Sequence, residues 1–219
     1  MTARRYAVKS IFGPTVQGEG SLTGAVTLFL RLAGCNMWDG RSESKAASRC
    51  SYCDTDFVGG EMLTAEEICT RLMRLAPAGS LVTVSGGEPL LQFDADLAAT
   101  LSGSFRLAIE TNGTRALPFL VARHVDQVTC SPKVPPSEMK LAACDDIKVL
   151  FPHPNPAITP EAFADFPARA RYLQPVNGVD DVDPVAIAAT LRKLYELNRA
   201  APERPWRLSV QLHKLLGVE

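Results

Sequence analysis

The chain has 219 residues, 46% of them hydrophobic and 21% charged, the balance of a globular protein that buries a full core. Lys and Arg number 23 against 24 Asp and Glu, a formal net charge of −1, which excludes the basic excess of a nucleic-acid surface. The start, MTARRYAVKS, has no apolar run behind its arginines, and no stretch approaches the roughly 18 apolar residues of a membrane span; one cytoplasmic domain over 1–219 is expected.

In chain order, Tyr6 to Ile11 reads as a short leading strand, followed by a turn-rich stretch from Phe12 to Gly20. Val26 to Leu32 is a continuous apolar run with β-branched and aromatic members, as in a buried strand of a parallel sheet. Thr64 opens a capping box with Glu67, and Ile68, Leu72 and Leu75 give a helix to Leu75 its apolar face. Further strands are expected at Leu81 to Ser85, Phe105 to Glu110, Val125 to Cys130, Asp146 to Leu150, Arg171 to Leu173 and Trp206 to Gln211. Helices are expected at Asp94 to Leu101, Leu117 to Ala122 and Asp181 to Asn198, the last with Val182, Ile187, Leu191, Leu194 and Leu197 on a broad apolar side. Phe151 to Pro160, with four prolines, is an irregular connection. Strands alternate with helices, and the glycine-containing and polar signatures fall just after strands, where parallel α/β folds bind ligands.

Six cysteines are present, but a chain this large and apolar does not need disulfide staples. Cys69, Cys130 and Cys144 lie in or beside apolar segments and read as small core residues. Cys35, Cys50 and Cys53 differ, with fourteen residues between the first two and two between the last pair. Three thiolates are one short of a structural zinc site, and they suit a 4Fe–4S cluster with one iron left open. Zinc completed by one of only three histidines is the competing reading; His124, His153 and His213 are distant in sequence. The polar residues 36–49 are expected to form a solvated loop or short helix returning Cys50 beside Cys35.

Each remaining motif also has a plain alternative. Gly86-Gly-Glu-Pro89 is either a strand-to-helix turn or a place where backbone comes close to a ligand. Tyr52 packs the loop or flanks a nucleoside; Thr111-Asn-Gly113 and Ser131-Pro-Lys133 are turns or cofactor contacts. Arg31 sits inside an apolar run, where an ion needs a partner, and a bound anion would supply one.

Taken in order, Val16-Gln-Gly-Glu-Gly20, Arg31, the three cysteines with Asp54 and Thr55, Ser85-Gly-Gly-Glu-Pro89, Glu110-Thr-Asn-Gly113, Ser131-Pro-Lys133, Gln174-Pro175 and His213-Lys214 resemble the 7-carboxy-7-deazaguanine synthase family of the radical S-adenosylmethionine superfamily. The usual superfamily spacing has three residues between the first two cysteines, and some members of this family carry an enlarged loop. The resemblance implies a partial, modified (β/α)6 TIM-like barrel and ring contraction of 6-carboxy-5,6,7,8-tetrahydropterin to 7-carboxy-7-deazaguanine with release of ammonia, feeding 7-deazapurine biosynthesis, including queuosine. It implies cluster ligation by Cys35, Cys50 and Cys53, and Mg²⁺ at Thr55 beside the substrate carboxylate. It assigns S-adenosylmethionine to Tyr52, Cys53, Asp54, Gly86, Gly87, Glu88, Glu110, Asn112, Ser131, Pro132, Lys133, Gln174, Pro175, Val176 and Asn177. The pterin falls to Val16, Gln17, Gly18, Glu19, Arg31, Ser85, His213 and the terminal Glu219. An electron donor such as flavodoxin or ferredoxin and a homodimer are implied likewise. Leu212 stands where the family more often has Thr. A glycyl-radical activating enzyme would share the cluster and GGEP motif without needing Gln17, Glu19 or Thr55; a zinc-bearing interaction module without turnover is the non-enzymatic alternative.

Overall fold

The computed structural model describes residues 3–176 and 183–218. Two compact units emerge, the first made of Met1–Thr15, Val26–Thr111 and Arg115–Val128, the second of Val16–Ala25, Asn112–Thr114 and Thr129–Glu219.

The first unit contains β1 (Tyr6–Val16, all but its last residue), β2 (Val26–Leu32), α1 (Ser42–Lys45), β3 (Glu61–Leu63), α2 (Ala65–Leu75), β4 (Leu81–Gly86), α3 (Ala95–Ser102), β5 (Arg106–Thr111) and α4 (Phe119–Ala122). The strand order is β3-β1-β2-β4-β5. β4 runs parallel to β2, with Arg31 opposite Ser85, and parallel to β5, with Val84 opposite Ile109. The apolar runs read from the sequence become this sheet's core: Leu28, Leu30, Leu32, Val82, Val84, Leu107 and Ile109 are buried. Each contributes about 1.5–3 kcal/mol relative to an exposed side chain. The expected capping box is present, Glu67 N–H donating to Thr64 Oγ1 at 3.2 Å and Thr64 N–H to Glu67 Oε2 at 2.7 Å. It starts α2 where Ile68 and Leu72 face the core.

β1 runs on through Phe12-Gly-Pro-Thr, which had been expected to turn. Phe12 stacks on Phe29 of β2, with ring centroids 5.1 Å apart, so packing across the strands keeps the segment extended despite its local turn chemistry. β3, three residues paired antiparallel with β1, is too short to announce itself by periodicity.

In the second unit, β7 (Cys144–Phe151), β8 (Ala168–Pro175) and β9 (Trp206–Leu208) run parallel in the order β6-β7-β8-β9, with Leu150 opposite Gln174. The last two residues of β6 (Gln127–Cys130) pair with β7. α5 (Pro184–Ala200) packs on β8 and β9. Asp183 caps it, accepting from Val185 N–H at 2.8 Å. The expected start at Asp181 and Val182 lies outside the described residues. The packed face is also narrower than expected: Ala186, Thr190 and Leu194 are buried, whereas Leu191 is exposed. Thr190 belongs there because its hydroxyl donates to Ala186 O at 2.7 Å and Phe151 O at 3.1 Å. The tail forms α6 (Leu212–Leu216), ended by Gly217 in the left-handed region.

Parallel strands joined through helices make this an α/β fold, as expected. No helix among the described residues is long and apolar enough to cross a membrane.

Candidate active site

In the first unit the motifs gather where β2, β4 and β5 end. Parallel register puts Arg31 beside Ser85, and one step along β5 the Ser85 hydroxyl donates to Glu110 Oε2 at 3.3 Å. Three polar side chains therefore form a row at the carboxyl ends of three strands. The Arg31 guanidinium lies 5.8 Å from the centre of the Phe12 ring, a cation–π contact.

The GGEP turn folds directly against the start of the cysteine loop. Gly87 N–H donates to Leu32 O at 3.3 Å and Glu88 N–H to Gly34 O at 3.0 Å. A Cβ on Gly87 would stand 2.2 Å from Gly34 O and 2.7 Å from Cys35 Cβ, and Gly86 has φ +147° with Leu32 O as close. Only glycines allow that approach. Glu88 is fully buried; its Oε1 accepts from Thr111 Oγ1 at 2.8 Å and Leu90 N–H at 3.0 Å, so its carboxylate organises the turn itself.

None of Cys35, Cys50 and Cys53 is in a disulfide. Burial pushes the Cys35 thiol up, opposed by N–H groups of Met37 and Trp38 and reinforced by nearby Glu88 and Cys53. Burial, followed by the charge of Cys50 and a hydrogen bond to it, pushes the Tyr52 hydroxyl up as well. Among the described residues, no three His, Cys, Asp or Glu side chains converge so as to hold a single metal ion. An iron–sulfur cluster gives each thiolate its own iron, so three cysteines on one loop, none of them in a disulfide, fit that group. A closed zinc site gains no support: His124 bonds Ser102 at 2.9 Å, His153 accepts from Asn155 N–H, and His213 stacks against Gly18.

The enlarged loop has its own architecture. Trp38 Nε1 donates to Arg41 O and Ser44 Oγ, and its ring meets Phe57 edge-on at 5.5 Å. Lys45 lies over the same indole at 5.5 Å. Asp39 accepts from Arg41 N–H at 3.0 Å and from the Ser44 hydroxyl. The short helix considered for 36–49 is α1. Thr55 is half-buried, its hydroxyl reaching only Asp54 Oδ1 at 3.5 Å.

In the second unit the Val16–Gly20 motif is a tight reversal, with Gln17 N–H donating to Ala25 O at 2.8 Å and Gly24 N–H to Gln17 O at 2.9 Å. Glu19 is bonded by Lys148 of β7 and accepts from Gln174 Nε2 at 3.0 Å. Ser209 Oγ donates to Gln174 Oε1 at 2.9 Å and accepts from Gly20 N–H at 3.1 Å. Asp146 Oδ2 and Oδ1 take Ser21 N–H at 2.7 Å and Ser21 Oγ at 2.5 Å, and Tyr172 OH lies 3.0 Å from the same hydroxyl. The tail adds Leu212 N–H to Gly18 O at 3.1 Å, with His213 so close that a Cβ on Gly18 would meet its Nδ1 at 2.2 Å. The Leu212 bond is a backbone one, so a leucine in place of the family's threonine leaves it intact. Gln174, assigned to cofactor, and Glu19, assigned to substrate, thus share a hydrogen bond. Asn112 Oδ1 accepts from Thr114 N–H at 2.9 Å and from its hydroxyl at 2.6 Å, while Asn112 O takes Lys133 N–H at 3.2 Å and Lys133 Nζ donates to Ser131 Oγ at 2.9 Å. Val176 N–H donates to Phe151 O at 3.3 Å. Asn177 and Glu219 lie outside the described residues.

Sequence reasoning missed Lys148, Asp146, Ser209 and Tyr172. Lys148 carried a usable signal, an ion inside the apolar run of DIKVL; the other three had none.

Comparison with known proteins agrees with this geometry. The Radical SAM superfamily model matches residues 46–173. The chain is 38% identical to the 7-carboxy-7-deazaguanine synthase of Caulobacter vibrioides and 36% identical to that of Burkholderia multivorans, each time over 97% of this chain and 99% of the other. The crystal structure of QueE from Escherichia coli matches with a TM-score of 0.66 at 23% identity, over 94% of both chains, which shows a shared fold. Three cysteines on one loop, a GGEP turn packed on the first of them and similarity along nearly the whole chain lead to one conclusion: this chain belongs to the radical S-adenosylmethionine superfamily and, within it, to the 7-carboxy-7-deazaguanine synthases.

Proposed function

We propose that the chain converts 6-carboxy-5,6,7,8-tetrahydropterin to 7-carboxy-7-deazaguanine with loss of ammonia, in the route to queuosine and related 7-deazapurines. Similarity to synthases of that name along nearly the full length is the observation that carries this reading. The family model spans parts of both compact units, which supports treating the chain as one radical S-adenosylmethionine domain.

Cys35, Cys50 and Cys53 would hold the 4Fe–4S cluster. When bound, the cluster would supply one-electron reducing chemistry to S-adenosylmethionine, and that cofactor the radical chemistry for the substrate. The chain's own residues bind and orient. The backbone of Gly86 and Gly87, with Tyr52, Asp54, Glu88, Glu110, Asn112, Ser131 to Lys133 and Gln174 to Asn177, is assigned to S-adenosylmethionine. Arg31 matches the substrate carboxylate by charge and fork geometry. Glu19 and Gln17 match the donor and acceptor edge of a pterin, with Val16, Gly18, Ser85, His213 and Glu219 completing the substrate set. Thr55 would give Mg²⁺ one oxygen; this ion commonly takes few protein ligands and completes its shell with water and substrate. A flavodoxin or ferredoxin as donor, a homodimer and a cytoplasmic location belong to the same reading.

The test is anaerobic reconstitution with iron and sulfide, then incubation with S-adenosylmethionine, reductant and the carboxytetrahydropterin. About four irons per chain and a substrate-dependent rise in 5′-deoxyadenosine and deazaguanine product are expected. If 5′-deoxyadenosine forms no faster with the pterin than without it, the reaction assignment is wrong.

A further inference from the structure

Lys148 is the one charged side chain in the centre of β7 (Cys144–Phe151), with its own side chain 6% exposed and Glu19 12% exposed. It sits opposite Tyr172 of β8. A buried ammonium is costly unless a partner compensates it, and desolvation alone would pull Lys148 down to about 7. The carboxylate against it is Glu19. Glu19 lies on a reversal whose neighbouring residues are also pinned from a distance: Gly20 by Ser209, Ser21 by Asp146, and Gly18 by the backbone of Leu212. Each of those bonds fixes backbone or a flanking hydroxyl. Among the described residues, Lys148 and Gln174 bond the Glu19 side chain, and of these two Lys148 brings charge.

We propose that Lys148 is a positioning residue for substrate recognition: it holds Glu19 ionised and aimed, so that the carboxylate presents its remaining lone pairs to the donor edge of the pterin ring. Without an ammonium, a carboxylate this buried would take up a proton or turn away. Either change removes an acceptor that an amino-pyrimidinone edge requires. The inference rests on the assignment of the Val16–Gly20 turn to substrate. Its signature is a defect in substrate affinity that depends on Glu19.

The experiment measures steady-state kinetics of the reconstituted holoenzyme for wild type, Lys148→Met, Glu19→Gln and the double variant. Lys148→Met should raise KM for the carboxytetrahydropterin at least tenfold with a smaller change in kcat. The double variant should be no worse than the poorer single one, because both substitutions disable the same contact. A KM within twofold of wild type, or effects of the two substitutions that simply add, overturns the proposal. Should Lys148→Met fail to fold, Lys148→Gln keeps an N–H donor without the charge; a raised KM then supports the proposal and an unchanged KM overturns it. Wild-type turnover is the internal control. If the unaltered holoenzyme makes no product, the functional reading falls and this inference with it, whereas wild-type product with normal variant KM values sinks the Lys148 role alone.

Discussion

The cysteine loop and the Val16–Ala25 reversal both carry motif residues between strands, yet they are held in opposite ways. Within the loop, Trp38 and Asp39 bond Arg41 and Ser44, two to six residues away. Its main outside anchors are Phe57, which meets Trp38, and the Gly87 turn packed on Cys35. The reversal is held by Asp146, Lys148, Tyr172, Gln174 and Ser209, between 125 and 189 residues further along the chain. A segment stabilised by its own neighbours can vary in length without disturbing the core, which is how fourteen residues fit between Cys35 and Cys50. A segment stabilised by distant strands is part of the core and tolerates little.

The largest effect is expected where the loop meets chemistry. Cys35→Ala should reduce S-adenosylmethionine cleavage to the background of protein without iron, with iron content falling in parallel; full activity would mean that another residue supplies the third ligand. Asp146→Ala should damage the reversal. It leaves the Ser21 N–H without its acceptor and the Ser21 hydroxyl with Tyr172 alone, at a cost of about 2 kcal/mol, read as a lower urea midpoint at constant slope together with a raised KM for the pterin. An unaltered midpoint would show the reversal to be less integral than its anchors imply.

Trp38→Ala should act on the loop alone, removing an aromatic contact worth about 1 kcal/mol. Amide exchange over 36–49 should accelerate while the pterin KM stays put. Faster exchange at Gln17 to Ser21 as well would erase the distinction between the two regions. The smallest change is expected for Thr55→Ala, which should shift the Mg²⁺ titration of activity and little else; a superimposable titration removes Thr55 from the metal site.

Local chemistry was legible residue by residue. The Thr64 and Glu67 capping box, the buried runs of β2, β4 and β5, and the GGEP turn after β4 all depend on neighbours within a few positions, and each stands as read. Arg31 and Lys148 show where such reading ends. Both are ions inside apolar runs that need a partner, and Lys148 has its partner 129 residues earlier in the chain. The Phe12–Val16 segment misled for a related reason: its residues prefer a turn, and the stacking of Phe12 on Phe29 overrides them.

From the sequence alone came the α/β class, the family and most of the longer strands and helices, because these rest on periodicity and on motifs contiguous in the chain. Tertiary structure decided which side chains hold the Val16–Gly20 turn, which stripe of α5 is buried, and that Glu88 is turned inward onto Thr111. The physical reason is the same in each case. A buried polar group must find its partner wherever the strands bring one, and that partner carries no mark in sequence until the strands are placed side by side.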